Sequence, residues 1–221
     1  RPCPTPPART PRTPVRAAPR AAVNLGVGRA GAAGRLRGMD RSPAPRVAHT
    51  HELTPVERGR IRELLDTAFD GDFDDEDWEH SLGGLHVLLC EPDGRPTAHG
   101  SVVQRRVLHA GRSYRVGYVE AVAVRAGHRR RGLGRRVMAG LEHVIDTAYD
   151  FGALSASAEG AALYASSGWQ VWPGRLAALG PAGPVPLPEE EGTTYVRPAA
   201  GLPLPAPAHP LAFDWRGGDL L

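Results

Sequence analysis

The sequence predicts an α+β fold in which helices pack around a mixed central sheet. Two long segments have apolar residues at helical spacing, and short apolar runs separated by turn residues lie around them. The predicted order is one helix, three strands joined by hairpins, a second helix, and then strand, helix and strand. Apolar residues make up 41% of the 221 residues, which is enough for the core of one medium domain.

The first predicted helix covers residues 55–69. Thr54 fits the N-cap position, Pro55 stands in the first turn, and Glu57 follows the cap at the spacing of a capping box. Apolar side chains then recur at helical spacing. The stripe that this helix should bury consists of Ile61, Leu64, Leu65 and Phe69.

Three strands follow, joined by turns. Residues 85–90 form a short apolar run, and a turn rich in Pro, Asp and Gly leads to a second strand over about 97–109. Residues 110–112 turn the chain into the third strand, 114–124. This strand is apolar nearly throughout, as expected for one buried on both faces, and Glu120 interrupts it.

The second half begins with a long helix over residues 133–149. Its apolar face comprises Val137, Met138, Leu141, Val144, Ile145 and Ala148. A strand, a short helix and a strand follow at residues 152–156, 159–166 and 169–172. The Pro- and Gly-rich stretch 174–192 predicts a loop, and residues 193–196 can return as a last strand.

Charge divides the chain into two unlike parts. Residues 1–38 contain 8 arginines and no acidic residue, whereas all 24 acidic residues lie from Asp40 onward. Because the chain has 27 basic side chains and no lysine, 19 arginines remain against 24 acids, a net charge of −5. We expect residues 1–38 to be an upstream extension or a disordered leader, and residues 39–221 to form the working domain.

The partner classes open to the chain are few. A basic leader can bind nucleic acid or anionic lipid, but arms without aromatic residues are usually solvated, so we expect neither partner. The two cysteines, Cys3 and Cys90, support neither a disulfide framework nor a cysteine-ligated zinc, and we expect no metal. No run of about 18 apolar residues could span a membrane, and no secretory signal is recognisable, so we expect a cytoplasmic protein.

The stretch before the long helix has the composition of a phosphate-binding loop. Glycines let the backbone approach an anion, and the amides at a helix N-terminus point at it. The stretch lacks the Lys and Ser or Thr of a Walker loop and the third Gly of a Rossmann turn. Taken alone, it fits a pyrophosphate site and a solvated glycine-containing loop equally well. Its residues are Arg129, Arg130, Arg131, Gly132, Leu133 and Gly134.

In its place between a buried strand and a long helix, this loop resembles the acetyl-CoA signature of the GNAT acetyltransferases. The resemblance implies the GNAT fold, with acetyl-CoA as the cosubstrate. It also implies that the strand before the loop splays from its neighbour at a bulge. The backbone of Val122, Ala123 and Val124 would then pair with the pantetheine arm, and the amides of residues 129–134 would hold the pyrophosphate.

Glu120 is the candidate general base. A carboxylate inside an apolar strand costs free energy unless it is hydrogen-bonded or faces a cleft, and such positions favour an altered proton affinity. The alternative is a satisfied structural carboxylate at a bulge. In the functional interpretation Glu120 accepts a proton from the substrate ammonium, through water, so that the neutral amine can attack the thioester.

Tyr164 is the candidate general acid. A tyrosine in a short helix more often packs than reacts. The string around it, residues 162–169, nevertheless resembles the GNAT pattern of a Tyr followed by Gly and an aromatic residue. The resemblance implies that the phenol of Tyr164 stands near the sulfur of CoA and protonates the departing thiolate.

An acidic run indicates the substrate class. Residues 70–79 hold seven carboxylates, directly before a Gly83-Gly84 turn. Such runs are usually solvated surface, but the acidic loop 189–191 and Asp219 could line the same side of the sheet. We therefore expect a polycationic substrate.

Six strings together resemble the aminoglycoside 2'-N-acetyltransferases, over about residues 46–221. They begin at residues 73, 82, 117, 152, 163 and 214. The resemblance implies an aminoglycoside substrate, a resistance role and a homodimer. It also implies contacts to the amino sugars from Asp72, Asp77, Glu120, Ala121, Ser155, Glu190 and Asp219. Glu190 and Leu221 depart from the Asp and the terminal Trp of that pattern.

Two other functions remain open from the sequence. The same enzyme type could acetylate an endogenous amino sugar or small amine. A non-catalytic protein that binds acyl-CoA, or nucleic acid through the leader, is the other alternative, although the presence of both Glu120 and Tyr164 argues against it.

Overall fold

The computed structural model describes residues 44–221, and the predicted leader, residues 1–38, lies outside them. The helices of this part of the chain are α1 (Pro55–Ala68), α2 (Asp75–His80), α3 (Leu133–Ala148) and α4 (Ala161–Ser166). Its strands are β1 (Arg46–His49), β2 (Leu85–Cys90), β3 (Pro96–His109), β4 (Arg112–Val124), β5 (Phe151–Ser155), β6 (Gln170–Val171), β7 (Leu176–Gly180), β8 (Gly183–Pro186), β9 (Thr194–Pro198) and β10 (Leu211–Asp214).

These strands form one mixed sheet. Its order is β6, β9, β5, β4, β3, β10, β7 and β8, and β2 pairs with the first half of β3 and carries β1 on its other side. The pairs β4 with β5 and β10 with β7 are parallel, while the remaining pairs are antiparallel. The predicted α+β class with a mixed sheet is confirmed.

Helices α1 and α3 cover opposite faces of this sheet. Successive side chains of a strand point to opposite faces. On β2, Val87 packs in the core cluster of α3, and the next residue, Leu88, packs in the cluster of α1. The α3 side is packed closely, because a Cβ atom placed on Gly100 of β3 would come within 2.8 Å of Val137 Cγ1. The central strands are therefore buried on both faces, as predicted.

The start of α1 follows its sequence signals. The Thr54 side chain accepts a hydrogen bond from the backbone N–H of Glu57, and the Glu57 carboxylate accepts one from the N–H of Thr54 at 2.9 Å. This is the predicted capping box. The predicted apolar stripe is buried: Ile61, Leu64, Leu65 and Phe69.

Strand β4 is distorted in its second half, and this distortion positions the site. Ala121 and Val122 together stand opposite Gly100 of β3, and Ala121 has a φ of 51°. Strand β4 pairs with β5 only as far as Tyr118 opposite Ala153. Beyond this point β5 pairs with β9 alone, so a gap opens between β4 and β5. The predicted bulge and splay are confirmed.

The prediction of a loop over residues 174–192 was wrong. This stretch holds β7 and β8, with a 3-10 turn at Pro188–Glu190. Pro184 and Pro186 lie in β8, which is an edge strand of the sheet. Proline has no N–H group, but an edge strand tolerates it because one side of the strand has no neighbour to bond. The prolines indicated a loop, but they mark an edge strand.

Three further elements were not predicted. Strand β1 and strand β10 are only four residues long, and helix α2 lies inside the acidic run. In α2 three first-turn carboxylates complement the helix dipole, which a hydrophobic pattern does not detect. Ala148, expected on the buried face of α3, is exposed because the helix ends there.

Candidate active site

An open cleft lies beside the β4 bulge. The end of α1, helix α2, strands β4 and β5, and the C-terminal segment all contribute to it. The side chains that line it are Phe69, Phe73, Asp77, His80, Tyr118, Glu120, Ala121, Ser155, Arg216, Asp219 and Leu221. Five of the seven predicted substrate-contacting residues are in this set: Asp77, Glu120, Ala121, Ser155 and Asp219.

Glu120 forms an ion pair with another residue that lines the cleft. Its Oε1 accepts a hydrogen bond from Arg216 Nη1 at 2.5 Å, and the two side chains are only 15% and 14% exposed. Glu120 and Tyr118 point to the same face of β4 because they are two residues apart. The predicted base is therefore a cleft carboxylate with one bound oxygen.

Two guanidinium groups lie close to the ring of Tyr118. Arg105 Cζ is 5.2 Å and Arg216 Cζ is 5.4 Å from its ring centroid. Its hydroxyl is buried and makes no hydrogen bond. Burial, with the neighbouring Glu120 charge, raises the pKa of Tyr118, so it stays a neutral phenol in the wall of the cleft.

Two further carboxylates stand in the cleft wall. Burial, with the Glu190 charge, raises the pKa of Asp219 to about 6 against the opposing effect of Arg216. Burial also raises the pKa of Asp77, although the Asp74 backbone N–H partly stabilises its charge. A bound cation would relieve this cost, since an opposite charge favours the ionised form.

Glu190 and Asp72 differ in position from the other predicted substrate contacts. Glu190 is buried behind Ser155, whose hydroxyl donates to it at 3.0 Å, so it orients a cleft residue. Asp72 is exposed in the loop between α1 and α2 and is not among the lining residues.

His80 and Arg216 belong to the cleft but were not predicted as functional. The His80 ring Nε2 lies 2.8 Å from the Gly217 carbonyl, and burial lowers the pKa of His80. Arg216 lies 96 residues from its partner Glu120. Both residues stand in the strings that carried the family resemblance, which was the only signal for them.

Tyr164 is fully buried in α4, beyond the end of β5. Its ring packs against Trp169 and Tyr195 at centroid distances of 6.4 and 6.1 Å, and its hydroxyl makes no hydrogen bond. Burial, with the charge of Glu120, raises the pKa of Tyr164. The side chain is therefore a neutral proton donor without a partner.

The glycine-containing loop leads directly into the N-terminus of α3. Arg130 and Gly132 have left-handed backbone with φ of 62° and 78°, and Arg129 Nε donates to the Val124 carbonyl at 3.2 Å. The first amides of α3 have no acceptor inside the helix and carry its positive dipole end. With the unpaired edge of β4 from Val122 onward, they suit an extended ligand that ends in phosphates.

Two other site classes find no support in residues 44–221. No group of three or more His, Cys, Asp or Glu side chains there could hold a metal ion. The helices of the same residues are too short or too polar to cross a membrane.

A family model described as an acetyltransferase (GNAT) domain matches residues 49–172. A protein of Mycolicibacterium fortuitum named aminoglycoside 2'-N-acetyltransferase is 44% identical over 178 residues. The match covers 79% of this chain and 90% of the relative.

Solved structures show the same fold at low identity. The GNAT family N-acetyltransferase YhbS of Escherichia coli, in complex with CoA, has a TM-score of 0.54 and 16% identity. This likeness covers 81% of this chain and 94% of that one. A GNAT family acetyltransferase of Brucella melitensis, in complex with acetyl-CoA, has a TM-score of 0.51 and 14% identity over 79% and 97% of the two chains.

Proposed function

The chain belongs to the GNAT acetyltransferases and, among them, to the aminoglycoside 2'-N-acetyltransferase family, and from this premise we propose that it acetylates the 2'-amine of aminoglycosides. One observation carries the proposal: Glu120 stands in a cleft with Asp77 and Asp219, next to the gap between β4 and β5. A base, a polycation-binding wall and a free strand edge meet there.

The gap and the α3 N-terminus would hold acetyl-CoA. The backbone of Val122, Ala123 and Val124 offers hydrogen bonds to the pantetheine amides, since β4 has left β5 at this level. The amides from Arg129 to Gly134 would take the pyrophosphate, and the arginines of this loop add positive charge. Residues 44–221 thus fit the cosubstrate that the family uses.

The two candidate catalytic residues divide the proton transfers between them. Glu120 accepts the proton of the substrate ammonium through a water molecule, which leaves a neutral amine. Acetyl-CoA supplies its acetyl group as a thioester, so the amine nitrogen bonds to the carbonyl carbon as the carbon–sulfur bond breaks. Tyr164, which its raised pKa keeps protonated, donates its phenolic proton to the departing thiolate. The acetylated nitrogen loses its second proton as the amide forms, and this proton restores the phenol of Tyr164 directly or through water.

The cleft wall selects for positive charge. Asp77, Glu120 and Asp219 face the same space, and Ser155 adds a hydroxyl held by Glu190. An aminoglycoside carries several ammonium groups that these carboxylates can pair. Acetylation removes one ammonium that the drug uses to bind ribosomal RNA phosphates, which would confer resistance.

The assembly and location are part of the same proposal. By family membership we expect a homodimer that works in the cytoplasm, where ribosomes and acetyl-CoA are found. The measured mass in solution, by light scattering, tests the dimer.

A mass-spectrometric assay tests the function. Purified protein is incubated with acetyl-CoA and gentamicin, tobramycin or kanamycin A. The proposal expects one acetyl group on gentamicin and tobramycin and none on kanamycin A, which has a hydroxyl at 2'. Equal turnover of all three would contradict the 2' position, and a better kcat/KM for a small amine would favour an endogenous substrate.

A further inference from the structure

We propose that Arg216 is a positioning residue for acetyl transfer: it holds Oε1 of Glu120 and so makes Oε2 the oxygen that takes the proton. This inference rests on the proposed function, in which Glu120 is the base. It concerns a residue that the sequence patterns did not single out, on a segment far along the chain from β4.

The ion pair uses only one carboxylate oxygen. Arg216 Nη1 donates to Glu120 Oε1 at 2.5 Å, and no hydrogen bond of the described residues reaches Oε2. An arginine can bind a carboxylate with two parallel bonds, so a single bond leaves the second oxygen available. Glu120 lines the cleft, and Oε2 can therefore accept a proton from a water in it.

Arg216 is itself fixed from two other directions. Its Nε donates to the Asp219 carbonyl at 2.7 Å, and its guanidinium carbon lies 5.4 Å from the centroid of the Tyr118 ring. Burial opposes the charged form, but the Glu120 carboxylate raises the pKa of Arg216, so the guanidinium stays charged. A group held this way can orient its partner.

The same contacts place the C-terminal wall of the cleft. Arg216 binds Glu120 with one nitrogen and the Asp219 carbonyl with another. Arg105 Nη1 donates to the Leu220 carbonyl at 2.8 Å, and the His80 ring contacts the Gly217 carbonyl. Arg216 thus connects the base on β4 to the segment that carries Asp219.

Removal of this guanidinium would leave Glu120 free to rotate and partly buried without a partner. A misplacement of about 1 Å in a catalytic group can cost roughly 100-fold in rate. We therefore expect Arg216→Gln to lower kcat by about that factor. The KM for acetyl-CoA should be unchanged, because the loop of residues 129–134 is not altered.

Six variants separate positioning from general stability. Arg216→Lys keeps the positive charge, Arg216→Met replaces it with an apolar side chain, and Arg216→Gln replaces it with a neutral side chain that can still donate a hydrogen bond. Arg106→Gln is the matched control, since Arg106 is an exposed arginine next to Arg105 on β3. Glu120→Gln, alone and combined with Arg216→Gln, completes a double-mutant cycle. For each protein kcat, both KM values and the thermal midpoint are measured.

The proposal expects Arg216→Lys to recover part of the kcat that Arg216→Met and Arg216→Gln lose. It also expects Arg216→Gln to cost little further rate once Glu120 is glutamine. Equal loss in the Lys and Met variants, or equal loss with and without Glu120, would overturn it. If Arg216→Gln does not fold, or if Glu120→Gln gives no product, the Lys and Met pair decides alone. An inactive wild type would instead refute the proposed function.

Discussion

His86 and His99 form a buried hydrogen bond, Nδ1 to Nε2 at 2.9 Å, between strands β2 and β3. The other nitrogen of His99 lies 2.9 Å from the carbonyl oxygen of Ala121, at the β4 bulge. A carbonyl can only accept, so His99 Nδ1 carries a proton and His86 donates to His99 Nε2. The Thr50 hydroxyl, 2.9 Å from His86 Nε2, is the last member of this series of hydrogen bonds. Two neutral imidazoles thus support the backbone next to Glu120.

This pair predicts a loss of stability in mild acid. Burial lowers the pKa of His86 from its ordinary 6.5 to about 4 and that of His99 to about 3. Between pH 6.5 and these lowered values, the two histidines bind protons in the unfolded chain but not in the folded one. The free energy of unfolding therefore falls as the pH drops below about 6.5. Asp219, with its raised pKa, acts in the opposite direction. Urea midpoints of the wild type and a His86→Gln/His99→Gln variant should show the steeper fall in the wild type.

We predict that the titration of Asp219 makes the KM for the aminoglycoside depend on pH. Its pKa of about 6 means that it loses its charge as the pH falls through that value, and the cleft then attracts ammonium groups less strongly. KM should rise below about pH 6 in the wild type. In Asp219→Asn the KM should be higher at neutral pH and rise less over the same range. An identical pH dependence in both proteins would exclude Asp219 as the cause.

We predict that replacing Tyr164 by phenylalanine lowers kcat without lowering the stability of the fold. Its hydroxyl has no hydrogen-bond partner, so Tyr164→Phe removes no bond from the folded protein. As the proposed general acid it should contribute about 100-fold to kcat. Tyr195→Phe, which changes the neighbouring ring, is the control. A Tyr164→Phe variant with the rate of the control would exclude the acid role.

Gly100 lies where α3 packs against β3, and we predict that a larger side chain there destabilises the protein. A Cβ there would lie 2.8 Å from Val137 Cγ1 and 3.0 Å from Leu141 Cδ1, so Gly100→Ala should lower the free energy of unfolding by about 1–3 kcal/mol.

Gly59 lies inside α1 with nothing within 4 Å of the position that a Cβ atom would take. Gly59→Ala should therefore stabilise the protein by roughly 0.5–1 kcal/mol, as urea unfolding of both variants would show.

Local features of the fold were predictable from neighbouring residues. The capping box of Thr54 and Glu57 and the apolar stripe of α1 depend on residues within one or a few turns. The same holds for the Ala110-Gly111 turn between β3 and β4, where both residues have positive φ. Each signal and its partner lie close together in the sequence.

Other features depend on distant pairings that no local pattern reports. Strand β10 lies between β3 and β7, and β8 keeps two prolines because it is an edge. The pairs of Arg216 with Glu120 and of Ser155 with Glu190 join residues 96 and 35 positions apart. The family resemblance supplied five of the cleft residues, while the geometry placed Asp72 outside the cleft lining and added Arg216.

The central claim is that Glu120 activates the amine inside the cleft. The most direct test compares kcat/KM for tobramycin in the wild type, Glu120→Gln and Asp72→Asn, which removes an exposed carboxylate outside the cleft lining. We predict that Glu120→Gln loses about 100-fold or more while Asp72→Asn stays close to the wild type. Tobramycin acetylation at the wild-type rate by Glu120→Gln would contradict the account.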